Sequence, residues 1–145
     1  MTYKHVLVGL DLSDESGQIT TRVKEMFVDR VPQISLIHVI EPLSFAYGGD
    51  IPMDLSQLQN QLEEQATKKL AEAGQQLGVD SSHQHVIVGH PAHEIHRFAK
   101  ENNIDLMVVG THGRHGLSLL FGSTANGVLH GAPCDVFAVL IQNSS

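Results

Sequence analysis

Five short apolar runs, each separated from the next by a stretch of helical character, constrain this chain more than any other feature. They are residues 6–10, 34–40, 85–88, 104–109 and 136–141. Each is apolar through consecutive positions rather than at every second one, which is how a strand buried on both faces reads. The intervening stretches carry a different period. From residue 14 to 29, Ile19, Val23, Met26 and Phe27 recur at helical spacing behind Ser13, a candidate N-cap. From residue 54 to 77, Leu55, Leu58, Leu62, Ala66, Leu70 and Ala73 lie on one stripe. Gly74 interrupts that stripe late, and Gly78 is a natural stop. Residues 92–101 turn Ile95, Phe98 and Ala99 inward, and Ser123 opens a last helical stretch over residues 123–129. Strands alternating with helices predict an α/β fold: an open, doubly wound parallel five-stranded sheet with helices on both faces.

Composition narrows the partners. The chain has 145 residues, the usual size of one domain, and 41% hydrophobic content, enough for a packed core. A net charge of -7, with only 9 Lys and Arg, argues against binding nucleic acid or an anionic membrane, both of which want a basic face. A single cysteine, Cys134, excludes an intramolecular disulfide and fits a reducing cytoplasm. The first residues lead straight into a strand-like run with no signal-peptide pattern, and no apolar run approaches bilayer length. A cytoplasmic location is therefore expected.

Sheets of this kind bind ligands outside the carboxyl ends of their strands, where the strand order reverses. The first run ends at Asp11, the second at Val39 and Ile40, and the fourth at Val109 and Gly110. After Gly110 come Thr111, His112, Gly113, Arg114 and, further on, Gly122, Ser123 and Thr124. Glycines let a backbone approach a bulky anion, and a helix start flanked by hydroxyls offers it free donors. Arg114 adds a charge-assisted donor if it turns inward. The pattern Gly-x-x-x-x-Gly-Lys-Ser/Thr is absent, so this is no P-loop NTPase. The plain alternative is a βα turn whose glycines only permit tight packing.

With these residues in place the chain resembles the universal stress protein family over essentially its whole length. The resemblance rests on Lys4 through Ser13, on Leu36, Ile37, His38 and Val39, on Asp105 through Gly110, and on Ala132 through Val136. It implies the strand order 3-2-1-4-5 of the adenine nucleotide alpha hydrolase-like sheets. It also implies a homodimer paired through the strand at Val136, Phe137, Ala138, Val139, Leu140 and Ile141. ATP-binding members carry Gly, two residues, Gly, nine residues, then Gly-Ser or Gly-Thr, which places Gly110, Gly113, Gly122 and Ser123. By the same resemblance Asp11 lies near the ribose and phosphates, and the backbone of Val39 reads the adenine edge. The expected site is thus Asp11, Val39, Val109, Gly110, His112, Gly113, Arg114, Gly122, Ser123 and Thr124. Its expected ligand is ATP, with Mg²⁺ carried by the phosphates. Here only eight residues separate Gly113 from Gly122, one fewer than the pattern. A branch of the family lacks the glycines and does not bind ATP, and the openings Tyr3-Lys4-His5 and Asp11-Leu12-Ser13 are similar to it.

Other residues have plainer readings. Asp11 with Ser13 could simply cap the following helix. His112 and His115 are the only candidates for a general base, and neither has an orienting carboxylate nearby in sequence. His83 and His85 alternate on a strand, and His93 and His96 share a helical face, yet neither pair has a third metal ligand at a definite spacing. Cys134 reads as a small buried side chain whose neighbour Asp135 disfavours a thiolate. Phe45, Tyr47 and Met53 lie in a long loop and either close over a base or merely pack it. Three readings follow: a dimeric, ATP-binding stress sensor or regulator; the same dimer with no nucleotide, acting through a protein partner; and a slow ATPase. No catalytic or metal-ligating residue is assigned.

Overall fold

A computed structural model describes residues 2–42, 55–111 and 127–142. The elements are β1 (His5–Gly9), α1 (Gly17–Met26), β2 (Gln33–Ile40), α2 (Leu55–Leu77), β3 (Gln84–Val88), α3 (Pro91–Glu101), β4 (Leu106–Thr111) and β5 (Asp135–Leu140). Residues 127–129 are helical as well. The five strands form one sheet in the order β3-β2-β1-β4-β5, and every pairing is parallel.

Continuous apolar runs are explained by what covers each face. Val6 and Val8 of β1, Leu36 of β2 and Leu106 and Val108 of β4 point to one side, where they pack against Ile19 and Val23 of α1 and Leu70 of α2. Leu7, Ile37, Met107 and Val109 point to the other, against Ala92, Ile95 and Ala99 of α3 and Val128. Neighbouring residues on one strand thus enter two different cores, so the central strands are apolar at consecutive positions rather than at every second one. Asp105 joins the strand starts by accepting from Lys4 N–H (2.8 Å) and His5 N–H (3.0 Å).

The structure corrects several sequence expectations. The first helix starts at Gly17 with Ser16 as N-cap, not at residue 14 behind Ser13. Residues 13–16 are taken up by a turn that Asp11 organises: its Oδ1 accepts from Ser13 N–H and Ser16 Oγ–H, each at 2.9 Å. Gly74 does not interrupt α2, which runs through it to Leu77. The helix ends with Val79 N–H donating to the Gly74 carbonyl (2.8 Å) around Gly78 at φ 70°, a left-handed stop. β4 runs on through Gly110 and Thr111, so Gly110 is a strand residue opposite Val139 rather than the first residue of a loop. His83 lies in a 3₁₀ turn, Ser81–His83, rather than on the strand with His85.

Candidate functional site

The central strand β1 has β2 on one side and β4 on the other, so their carboxyl ends diverge around its end. A cavity of about 290 Å³ opens there, lined by Asp11, His38, Val39 and Val109 among others. Leu62 of α2 closes it on one face of the sheet, and Pro91 and Ile95 of α3 on the other. Glu41 also reaches its wall. Gly9 allows the close approach beneath it: a Cβ there would lie 3.3 Å from Val109 Cγ1.

The segment after β1 is held firmly. Leu10 N–H donates to the Ile37 carbonyl at 3.0 Å. His38 Nδ1 lies 2.7 Å from the Leu10 carbonyl; a carbonyl only accepts, so this nitrogen carries the proton. Leu12 takes φ 63°, a left-handed conformation a leucine rarely adopts. Asp11 Oδ1 is engaged by Ser13 and Ser16 in the turn before α1 and by no N–H of the helix itself, so the capping reading gives way to a turn-organising one, while the same residue lines the cavity.

Of the residues expected from sequence, Asp11, Val39 and Val109 meet at this cavity. Gly110 follows Val109 on β4 and is buried. His112, Gly113, Arg114, Gly122, Ser123 and Thr124 lie outside the described residues, as do His115, Phe45, Tyr47 and Met53. Sequence reasoning missed His38, Glu41, Leu62, Pro91 and Ile95 as lining residues. One signal was available: His38 is a ring with two polar atoms near the carboxyl end of an apolar strand, where it must find partners.

The other chemistry-bearing residues sit elsewhere. His96 Nε2 donates to the Val128 carbonyl at 2.8 Å and ties α3 to the helical residues after the glycine-rich stretch. His5 bridges the Asn102 carbonyl (3.2 Å) and the Ser35 hydroxyl (2.8 Å). His85 stacks at a tilt on Phe98, ring centres 4.6 Å apart, and burial, then His83 and His5, push its proton affinity down. Cys134 packs against the second core, and burial, then Asp135 and Asp105, hold its thiol above the usual range. Among the described residues, no group of three His, Cys, Asp or Glu could hold a metal ion, and no helix is long and apolar enough to cross a membrane.

Comparison with known proteins places this geometry. The model of the universal stress protein family matches residues 2–139. The chain belongs to the universal stress protein family. It is 43% identical over 144 residues to universal stress protein A homolog 1 of Coxiella burnetii, covering 98% of this chain and 99% of that relative. Among solved structures, hypothetical protein MJ0577 superposes with a TM-score of 0.79 at 25% identity, over 99% of this chain and 100% of that one. A universal stress protein solved in complex with cAMP superposes with a TM-score of 0.65 at 21% identity, over 97% and 98% of the two chains. The 3-2-1-4-5 sheet of this universal stress protein is the fold those structures share.

Proposed function

We propose that this universal stress protein binds an adenine nucleotide at the carboxyl ends of β1, β2 and β4, and that binding regulates a dimer. The observation that carries this reading is the cavity itself. It lies at the switch point of the sheet and collects Asp11, Val39 and Val109 from three separate segments. Ile37, Leu62, Pro91 and Ile95 give it apolar walls suited to a purine. Asp11 has a carboxylate to offer a ribose hydroxyl or a cation on the phosphates. The phosphates would run along Gly110 toward Gly113, Gly122, Ser123 and Thr124, with His112 and Arg114 beside them. Among the described residues the cavity lining contains Asp11 and Glu41 but neither Lys nor Arg, so backbone donors, Mg²⁺ and Arg114 would have to balance a triphosphate. The cAMP bound by a relative of the same fold supports the ligand class.

The dimer would form through β5, an edge strand that leaves Phe137 and Leu140 exposed. An uncovered apolar edge is a hazard that pairing with a second copy removes.

Mass spectrometry of purified protein should find a copurified adenine nucleotide, and ATP with Mg²⁺ should raise the melting temperature. Gly113→Val should abolish the rise, because a side chain there blocks backbone approach. If ATP, ADP, AMP and cAMP all leave the melting curve unmoved at millimolar concentration, and nothing copurifies, the nucleotide-free dimer becomes the better reading.

A further inference from the structure

His38 is a polar residue of β2 that the nucleotide reading leaves without a task. Its neighbour Val39 shows what that task is. In a parallel sheet a central strand turns alternate residues' backbone groups to its two neighbours. On β2, Ile40 faces β3, since its carbonyl accepts from Gly89 N–H at 2.9 Å. Ile37 faces β1, since its carbonyl accepts from Leu10 N–H at 3.0 Å. Val39 has the parity of Ile37, so its N–H and C=O also face the β1 side, one step past the last rung.

The acceptor that would continue the ladder from Val39 N–H is the Leu10 carbonyl. His38 Nδ1–H occupies it at 2.7 Å, and no bond from Val39 N–H reaches that carbonyl. Beyond Leu10 the strand conformation ends, with Leu12 at φ 63°, and among the described residues no backbone bond joins Val39 to residues 10–12. Val39 lines the cavity wall at this point.

We propose that His38 is a positioning residue of the nucleotide site. It satisfies the last carbonyl of the β1 segment with a side-chain donor and so keeps the Val39 N–H open for an acceptor on the edge of a bound base. The inference rests on the nucleotide reading for the identity of that base. The substitution of one rung by an imidazole is independent of any ligand.

The test reads backbone amide hydrogen exchange by NMR in ligand-free protein, with nucleotide affinity measured by calorimetry. In the wild type the Val39 amide exchanges freely while that of Ile37 is protected. In His38→Ala the released Leu10 carbonyl captures the Val39 N–H: its exchange slows, and affinity for ATP with Mg²⁺ falls about tenfold, the scale of one hydrogen bond. His38→Asn, whose side-chain amide presents a donor close to where Nδ1–H lies, restores both the open amide and the affinity. Protection of Val39 in the ligand-free wild type overturns the inference whatever binds. So does a His38→Ala protein with an open Val39 amide and undiminished affinity. If the wild type binds no adenine nucleotide while Val39 stays open, the nucleotide reading fails and the hold of His38 on Leu10 stands. Should His38→Ala fail to fold, the wild-type exchange pattern and His38→Asn decide.

Discussion

Single residues in this chain do work that their type does not announce. Gly74 sits inside α2, where alanine would ordinarily be worth about 1 kcal/mol more than glycine. Here a Cβ would meet the Val79 carbonyl oxygen at 2.7 Å and crowd the Gln84 side chain. Gly74→Ala should therefore destabilise, by about 1–3 kcal/mol, and a urea midpoint at or above that of the wild type would refute the packing argument. His85 gives a pH dependence of known sign. Burial first, then His83 and His5, lower its proton affinity from the ordinary value of 6.5, so the folded chain takes up its proton less readily than the unfolded one. Its contribution to stability is intact above the unfolded value and is lost as the pH falls below it. His85→Leu should lose less stability than the wild type between about pH 7.5 and about pH 5.5. Equal losses in the two proteins would count against it. Neither effect was legible in sequence. Gly74 looks like a helix breaker until the backbone at Val79 and the side chain at Gln84 are brought against it, and His85 looks like an ordinary strand histidine until Phe98 is found stacked on it.

At the scale of elements, the sequence was a good guide wherever burial on both faces dictated residue type. The central strands β1, β2 and β4 were readable because most of their positions enter one core or the other, and β5 is equally apolar in sequence although it leaves Phe137, Ala138 and Leu140 exposed. Their ends were less so. α1 begins three residues later than its periodicity suggests, since Asp11 and Ser16 hold residues 13–16 in a turn. β4 runs past its apolar residues into Gly110 and Thr111 because β5 supplies partners as far as Leu140. β5 is an edge strand that leaves two large apolar side chains uncovered: Phe137 is 37% exposed and Leu140 55%. A double variant, Phe137→Glu with Leu140→Lys, should sediment as a monomer under conditions where the wild type sediments as a dimer. A wild type that is itself monomeric at about 100 μM, well above the dissociation constants usual for specific homodimers, would remove the dimer from the reading.

For the whole molecule, the order β3-β2-β1-β4-β5 brings function within reach, because it sets the ends of β2 and β4 on either side of the end of β1. A ligand at that junction touches segments from both halves of the chain, so binding should stabilise the fold as a unit. At a free nucleotide concentration about a hundred times the dissociation constant, linkage adds about 2.7 kcal/mol, or a rise of about 5–10 °C in melting temperature. A smaller rise that saturates with concentration would mean that the nucleotide also binds the unfolded chain, and would count against a site built by the fold. By itself the sequence determined the alternation of strands and helices, the burial of the sheet on both faces and the family, since each is written in the residues' own types and local periods. Only the tertiary structure decided which strand ends meet, that Asp11 both organises a turn and lines the cavity, and that His38 closes the Leu10 carbonyl 28 residues away. Periodicity reports which face a residue prefers. It carries no information about the partner that arrives there from a distant part of the chain, and the candidate site is made of such partners.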